Sequence, residues 1–215
     1  MDQIKKTIAG YNKIAHGWHG TRRYVWGEVD NIILKFLFKD LKIMDLGCGN
    51  GRLLNTLSIA KENYLGVDPS AELIKICQRE YPDYTFKVND GIHIPCDDGS
   101  CDIVISIATL HHVPPKYQDA WLSEVYRVSS PNAKVIITVW LRDDSNDDRS
   151  TVHKRENSKE MSMGFAQHKD IRYVYLFDEK ELKSLLTKNK FKILESKIES
   201  RPNSQHKNLI IVAEI

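Results

Sequence analysis

The stretch Leu41-Lys42-Ile43-Met44-Asp45-Leu46-Gly47-Cys48-Gly49-Asn50-Gly51 decides how the rest of the chain reads. Its first half is a short apolar run, Leu41 to Met44, that predicts a buried strand over Lys42–Leu46. Its second half places glycine at three alternate positions. Glycines spaced this way let a strand end turn tightly and bring backbone amides close to a ligand. Asp68 follows 17 positions after Gly51, directly behind Gly66-Val67 at the tip of the next apolar stretch. A carboxylate there suits a ribose diol, and the two features together predict a nucleoside-bearing ligand.

Outward from this loop, strand and helix signals alternate. A helix is predicted over Gly51–Ala60, a strand over Asn63–Val67, and a helix opened by Pro69-Ser70 and running to Tyr81. Further strands are predicted over Tyr84–Val88, Asp102–Ile107 and Ala133–Trp140, with a helix over Pro115–Val128 and a turn at Ser129–Asn132. This alternation argues for an α/β fold, a parallel sheet with helices on both faces. Beyond it, Asp178–Asn189 reads as an N-capped helix. Phe191–Ile198 and Asn208–Ala213 read as two strands joined by the polar loop Ser200–Lys207. Between residues 141 and 170 the sequence turns from acidic (Asp143, Asp144, Asp147, Asp148) to basic (Lys154, Arg155, Lys159, Lys169). That predicts a polar surface loop, with a substrate lid or RNA-contacting arm as its functional reading.

A chain of 215 residues suits one domain: a helical arm (1–40), a core (41–140), the variable loop (141–170), and a closing helix and hairpin (171–215). With a formal charge of +2, the whole molecule attracts nucleic acid little, so any such binding needs a local patch. Lys5, Lys6, Arg22, Arg23, Lys154 and Arg155 are the candidates for one. The four cysteines show neither a C-x-x-C pair nor zinc spacing and read as unpaired thiols, with no metal site. No apolar run approaches the roughly 20 residues of a membrane span, and a cytosolic or nuclear chain is expected.

The pattern D-x-G-x-G-x-G from Asp45 to Gly51 resembles the cofactor loop of class I S-adenosylmethionine-dependent methyltransferases, whereas nicotinamide and flavin sites use G-x-G-x-x-G. The resemblance covers most of the chain. It implies a Rossmann-like, mostly parallel seven-stranded sheet with an antiparallel C-terminal hairpin strand. It also implies S-adenosylmethionine bound at Asp45, Gly47, Cys48, Gly49, Gly51, Asp68, Pro69, Asp90, Gly91, Ile92 and Ser106. In that arrangement the helix after the loop points its free amides at the methionine carboxylate, and Asp45 accepts from the loop or the cofactor's ammonium. Asp68 takes the ribose, and Asp90 the adenine amino group, with Gly91 and Ile92 alongside the ring.

Ser106-Ile107-Ala108-Thr109-Leu110-His111-His112 looks like a segment of the tRNA methyltransferases that esterify a carboxymethyl group on the wobble uridine. Tyr11-Asn12-Lys13-Ile14-Ala15, followed by Thr21-Arg22-Arg23-Tyr24-Val25-Trp26, is similar to that family's N-terminal segment. Arg172-Tyr173-Val174-Tyr175-Leu176-Phe177 is similar to the segment before its last helix, and Trp140 matches a tryptophan ending strand five. Asn208-Leu209 departs from the aromatic pair that usually opens the family's last strand. The resemblance implies Arg22, His111 and His112 as catalytic, and Tyr11, Arg23, Trp26, Trp140 and Tyr175 as substrate-binding. It also implies a tRNA substrate and, as in eukaryotic members, a small zinc-ribbon activator protein as partner. A carboxylate is ionised near neutral pH, its reference pKa being about 4, so alignment with the methyl group and exclusion of water can supply much of the acceleration. The alternatives are a small-molecule O- or C-methyltransferase and a non-catalytic binding subunit. Trp18 and Trp121 read as structural.

Overall fold

A computed structural model describes residues 2–21, 24–25, 27–142, 158–165, 168–200 and 207–215. Arg22, Arg23, Trp26, Lys154 and Arg155 lie outside the described residues, as does most of the polar loop expected between 200 and 207.

Strand β1 (Ile43–Leu46) lies between parallel β2 (Tyr64–Asp68) and parallel β4 (Cys101–Ile107). Parallel β3 (Thr85–Val88) flanks β2, and parallel β5 (Ser129–Trp140) flanks β4. The sheet ends with β9 (Lys207–Glu214), antiparallel to β5, and β8 (Lys192–Ser200), antiparallel to β9. The order β3-β2-β1-β4-β5-β9-β8, with β9 alone reversed, is the mostly parallel seven-stranded sheet expected from the sequence. Central parallel strands are buried on both faces and therefore read as near-continuous apolar runs, as Ile103-Val104-Ile105 does.

Alternate residues of each strand supply two cores. On one face, Met44, Leu46 and Val104 pack with α5 (Pro115–Val128), through Trp121, Leu122 and Val125, and with α6 (Glu179–Lys188), through Leu182 and Leu186. On the other, Ile43, Ile103 and Ile105 meet α2 (Gly27–Phe36), through Val29, Ile32 and Ile33, and α4 (Ala71–Glu80), through Ile74 and Cys77. The α6 start is fixed by a capping box between Asp178 and Glu181, which satisfies two otherwise orphaned amides.

Three sequence expectations are corrected. The helix after β1, α3, spans only Arg52–Thr56 instead of reaching Ala60. Leu57 turns extended (φ −118°, ψ 134°), and Leu57 and Ile59, two residues apart, both bury. The turn expected at Ser129–Asn132 is instead an irregular start to β5, with a register shift opposite Cys101/Ile103 and Asn132 at φ 65°. The third lies in the expected polar loop, where β6 (Ser158–Phe165) and β7 (His168–Tyr175) form a separate antiparallel hairpin. Met161, Met163 and Phe165 give β6 a two-residue apolar alternation that the surrounding charges obscure.

Helix α1 (Asp2–Thr21) lies across the C-terminal ends of the parallel strands. Its Ile4 approaches Gly91 after β3, and Trp18 approaches Gly49 after β1. Its Tyr11 bonds His112 after β4. Asn12 Oδ1 accepts from Ser70 Oγ (2.7 Å) and from the Glu72 amide (3.2 Å) at the start of α4, and Thr7 Oγ1 accepts from the Tyr173 amide of β7 (3.0 Å). Asn12→Ala leaves the Glu72 amide and the Ser70 hydroxyl without this acceptor. It should lower stability by about 1–2 kcal/mol, read as a fall in the thermal midpoint.

Candidate active site

The crevice outside the carboxyl ends of the strands, where the sheet order reverses around β1, is where open α/β sheets bind ligands. A partly open, mostly apolar cavity lies there, with about 420 Å³ of space between atoms when the adjoining open solvent is included. Each of the first four strands contributes to it: Leu46 and Gly47 from β1, Pro69 from β2, Asn89 and Gly91 from β3, and Thr109 and His112 from β4. Ile4, Thr7 and Ile8 of α1 form its cover.

The glycine loop is braced rather than open. The amides of Gly47 and Cys48 both donate to the Val67 carbonyl (2.7 and 3.1 Å), Gly49 N–H donates to Asp68 Oδ2 (2.8 Å), and Gly51 N–H donates to the Cys48 carbonyl (3.0 Å). Three of these donors tie the loop to the end of β2 through Val67 and Asp68, and the Gly51 amide closes the loop on itself through Cys48. What glycine contributes at Gly49 and Gly91 is close approach. A Cβ at Gly49 (φ 58°) would stand 2.9 Å from Trp18 Cη2, and one at Gly91 (φ 90°) 2.8 Å from Ile4 Cγ2. Trp18, expected to be structural, thus packs directly on the loop.

The acidic residues differ in their surroundings. Asp68 is buried and accepts from Gly49 and Ser70 N–H (both 2.8 Å), which leaves part of its acceptor capacity for a ligand. Burial pushes its carboxyl up to about 6, against the pull of those two hydrogen bonds. Asp45 lies deeper; burial raises it to about 7 even though Tyr64 Oη donates to it at 3.0 Å. The Tyr64 hydroxyl, rather than the loop, is its partner. Asp90 is half-exposed and accepts from the Ile92 and His93 amides and from His93 Nδ1 (2.6 Å). Burial raises its carboxyl, but these hydrogen bonds, the His93 side chain first, bring it below the usual carboxylate range. Ile92 is buried beside it, and Ser106 is fully buried within β4. Burial also keeps the Cys48 thiol neutral, and all four cysteines are free thiols.

The polar wall of the cavity is a relay of hydrogen bonds. Because the Tyr173 carbonyl can only accept, His112 Nδ1 carries the proton and donates to it (2.7 Å). His112 Nε2 then accepts from Tyr11 Oη (3.0 Å), and Tyr11 Oη in turn accepts from Arg172 Nη1 (3.0 Å). Burial, reinforced by the Arg172 charge, pushes His112 down to about 3, so it stays neutral throughout the physiological range. His111 is buried, accepts from the Trp140 backbone amide on Nδ1 (3.3 Å) and stacks on the Trp140 ring at 4.7 Å. The structure thus gathers Tyr11, His111, His112 and Trp140 beside the cavity. Tyr175 is not brought there: it packs edge-on against Phe177 and donates to Glu181, on the α6 side of its strand. Arg172 joins the group although the sequence marks it only as part of a matched segment. Its pairing with Tyr11 across 161 residues has no local signal. Among the described residues no cluster of His, Cys, Asp and Glu could hold a metal, and no helix is long and apolar enough to cross a membrane.

Residues 44–137 match the family described as a methyltransferase domain. The tRNA (carboxymethyluridine(34)-5-O)-methyltransferase ALKBH8 of Macaca fascicularis is 33% identical over 150 residues, which is 68% of this chain and 22% of that protein. The chain therefore spans about a fifth of the length of that curated relative. Among solved structures, the Burkholderia thailandensis 1,6-didemethyltoxoflavin-N1-methyltransferase, with bound S-adenosylhomocysteine, aligns with a TM-score of 0.72 at 18% identity, covering 98% of this chain and 87% of that one. The putative methyltransferase in complex with the Haloferax volcanii Trm112 methyltransferase activator aligns at 0.69 and 16% identity, covering 97% and 96%. Fold, domain match and crevice define an S-adenosylmethionine-dependent methyltransferase. The chain carries a methyltransferase-domain match over residues 44–137 and has the fold of solved methyltransferases, and over part of its length it is similar in sequence to proteins named tRNA carboxymethyluridine methyltransferases.

The titration of Asp68 and Asp45 has a defined sign. Both fold with a carboxyl pKa above the unfolded value of 3.8, so the folded chain holds these protons more tightly, and stability falls as pH rises from about 4 towards 7. Asp68→Asn and Asp45→Asn should each flatten that slope in thermal melts without cofactor. With Asp68 as the ribose acceptor, S-adenosylhomocysteine affinity should weaken below about pH 6, where Asp68 takes up its proton, and Asp68→Asn should remove that dependence in calorimetric titrations.

Proposed function

We propose that this chain transfers a methyl group to a carboxylate, namely the carboxymethyl group of a modified wobble uridine in tRNA, and forms its methyl ester. The observation that carries this reading is the neutral His112 on the cavity wall, with both ring nitrogens engaged and its pKa pushed down to about 3. Such a wall has little capacity to deprotonate a neutral acceptor near pH 7, and a carboxylate needs no deprotonation. Similarity to enzymes named for that esterification supports the same substrate.

S-adenosylmethionine, when bound, supplies an electrophilic methyl group. Asp68 would accept the ribose hydroxyls, Asp90 with Gly91 and Ile92 would border the adenine, and Gly47, Cys48, Gly49, Gly51 and Pro69 would shape the path between them. Asp45 and Ser106 would support this floor from below, since both are buried in the strands that carry it. Helix α1 excludes water from above, and Tyr11, His111, His112 and Trp140 orient the acceptor, so catalysis here rests on alignment and a dry site. Arg22 belongs to the same proposal as a catalytic residue, and Arg23 and Trp26 as substrate-binding residues. Tyr175 acts indirectly, by fixing β7 to α6.

A small zinc-ribbon activator is the proposed partner, supported by the fold likeness to a putative methyltransferase solved in complex with the Trm112 methyltransferase activator. Val88, 48% exposed on the edge strand β3, is an apolar residue that such a partner would cover. Full solubility and activity of the isolated chain would count against this partner.

The test is incubation with labelled S-adenosylmethionine and total tRNA from cells lacking the endogenous activity, with and without a co-expressed activator. Label on the wobble nucleoside that is lost on mild alkali is expected, and label in an alkali-stable ring position would overturn the ester assignment. At saturating cofactor, the rate should show no limb from His112 between about pH 5 and 8.

A further inference from the structure

The geometry points to Arg172 as the group that receives the acceptor's carboxylate and makes the site select an anion over its neutral analogues; this rests on the esterification reading above. Arg172 lies on β7, outside the methyltransferase-domain match at residues 44–137, and the appended hairpin sets it behind the cavity-lining His112, to which Tyr11 links it. Three contacts define its pose. Nη1 donates to Tyr11 Oη at 3.0 Å, the guanidinium carbon lies 4.7 Å from the Trp140 ring centroid, and Nε is buried without a hydrogen-bond partner.

Each contact bears on what the side chain can bind. Stacking on Trp140 holds the guanidinium plane while leaving its edges available. Tyr11 occupies one donor, and its own proton is committed to His112, so Tyr11 cannot neutralise the charge. The remaining edge, Nε with Nη2, is the planar fork that matches the two oxygens of a carboxylate. A buried donor left without an acceptor is costly, and among the described residues no carboxylate pairs with Arg172 to relieve it. The acceptor missing from that edge is therefore the ligand's. With His112 neutral, the relay offers a single positive charge, matched to a single carboxylate.

The charge balance of the reaction gives this anchor a second consequence. As the ester O–C bond forms, the donor's S–C bond breaks with its electron pair left on sulfur, and no proton moves. The carboxylate's charge is gone, and the charge-assisted pair with Arg172 weakens to an ordinary hydrogen bond. The site thus holds substrate more tightly than product.

The experiment titrates 5-carboxymethyluridine, its amide and its methyl ester into the S-adenosylhomocysteine-loaded protein, as wild type, Arg172→Gln and Arg172→Lys. Wild type should bind the carboxylate roughly 10- to 100-fold more tightly than the amide or ester. Arg172→Gln should abolish that preference with S-adenosylhomocysteine affinity unchanged, and Arg172→Lys, a charge without the fork, should keep part of it. In methyl transfer to tRNA, the loss should appear mainly in KM. A carboxylate preference that survives Arg172→Gln, or its absence in wild type, overturns the anchor. Should Arg172→Gln lose cofactor binding and hence its fold, Arg172→Lys decides, and full retention of preference and KM overturns the fork. Failure of wild type to esterify tRNA overturns the proposed function, while the nucleoside titration still decides the anchor independently.

Discussion

The Asp68 carboxylate is the joint on which the site depends. One oxygen accepts the Gly49 amide of the loop after β1, and the other accepts the Ser70 amide at the entry of α4. Asn12 grips the same helix entry through Ser70 Oγ, so loop, helix α4 and covering helix α1 meet at one buried acidic group. Burial makes ionisation of that group unfavourable, which is the cost of holding a carboxylate in a place shielded from water. Gly49 follows from the same constraint. With Trp18 pressed onto the loop from above and Asp68 holding its amide from the side, no Cβ fits there.

The molecule divides its labour between a general core and particular additions. The core, β1 to β5 with α4 and α5, forms the floor of the crevice, and the domain match covers most of it. The polar wall comes largely from outside: Tyr11 from α1, and Arg172 and the Tyr173 carbonyl from β7. His112, at the end of a core strand, is where the two sets meet. Both of its nitrogens bond to the added elements, so their docking fixes its tautomer.

Much of the fold was legible because parallel strands announce themselves as apolar runs, and the helices after β2 and β4 carry their own start signals. Strands β1 to β5 and helices α4, α5 and α6 follow from such local patterns, whereas the reversal of the last strand follows from the family resemblance. The β6–β7 hairpin did not, because its alternation of Met161, Met163 and Phe165 sits among charges and pairs with nothing in the main sheet. In the site, the glycines and acidic residues were legible by spacing. Their hydrogen-bond states were not, since whether an amide is free or spent on Val67 is a tertiary fact. Arg172 was hidden for the same reason, its partners Tyr11 and Trp140 being far away in sequence.

The central claim is that the loop after β1 and the helix α1 above it enclose the methyl donor between them. Hydrogen exchange of the backbone amides, measured with and without S-adenosylhomocysteine, tests this most directly. Slower exchange on ligand addition is expected in both residues 47–51 and helix α1, with α6, which lines no part of the cavity, unchanged. Binding that leaves the exchange of both the loop and α1 unaltered would contradict the account.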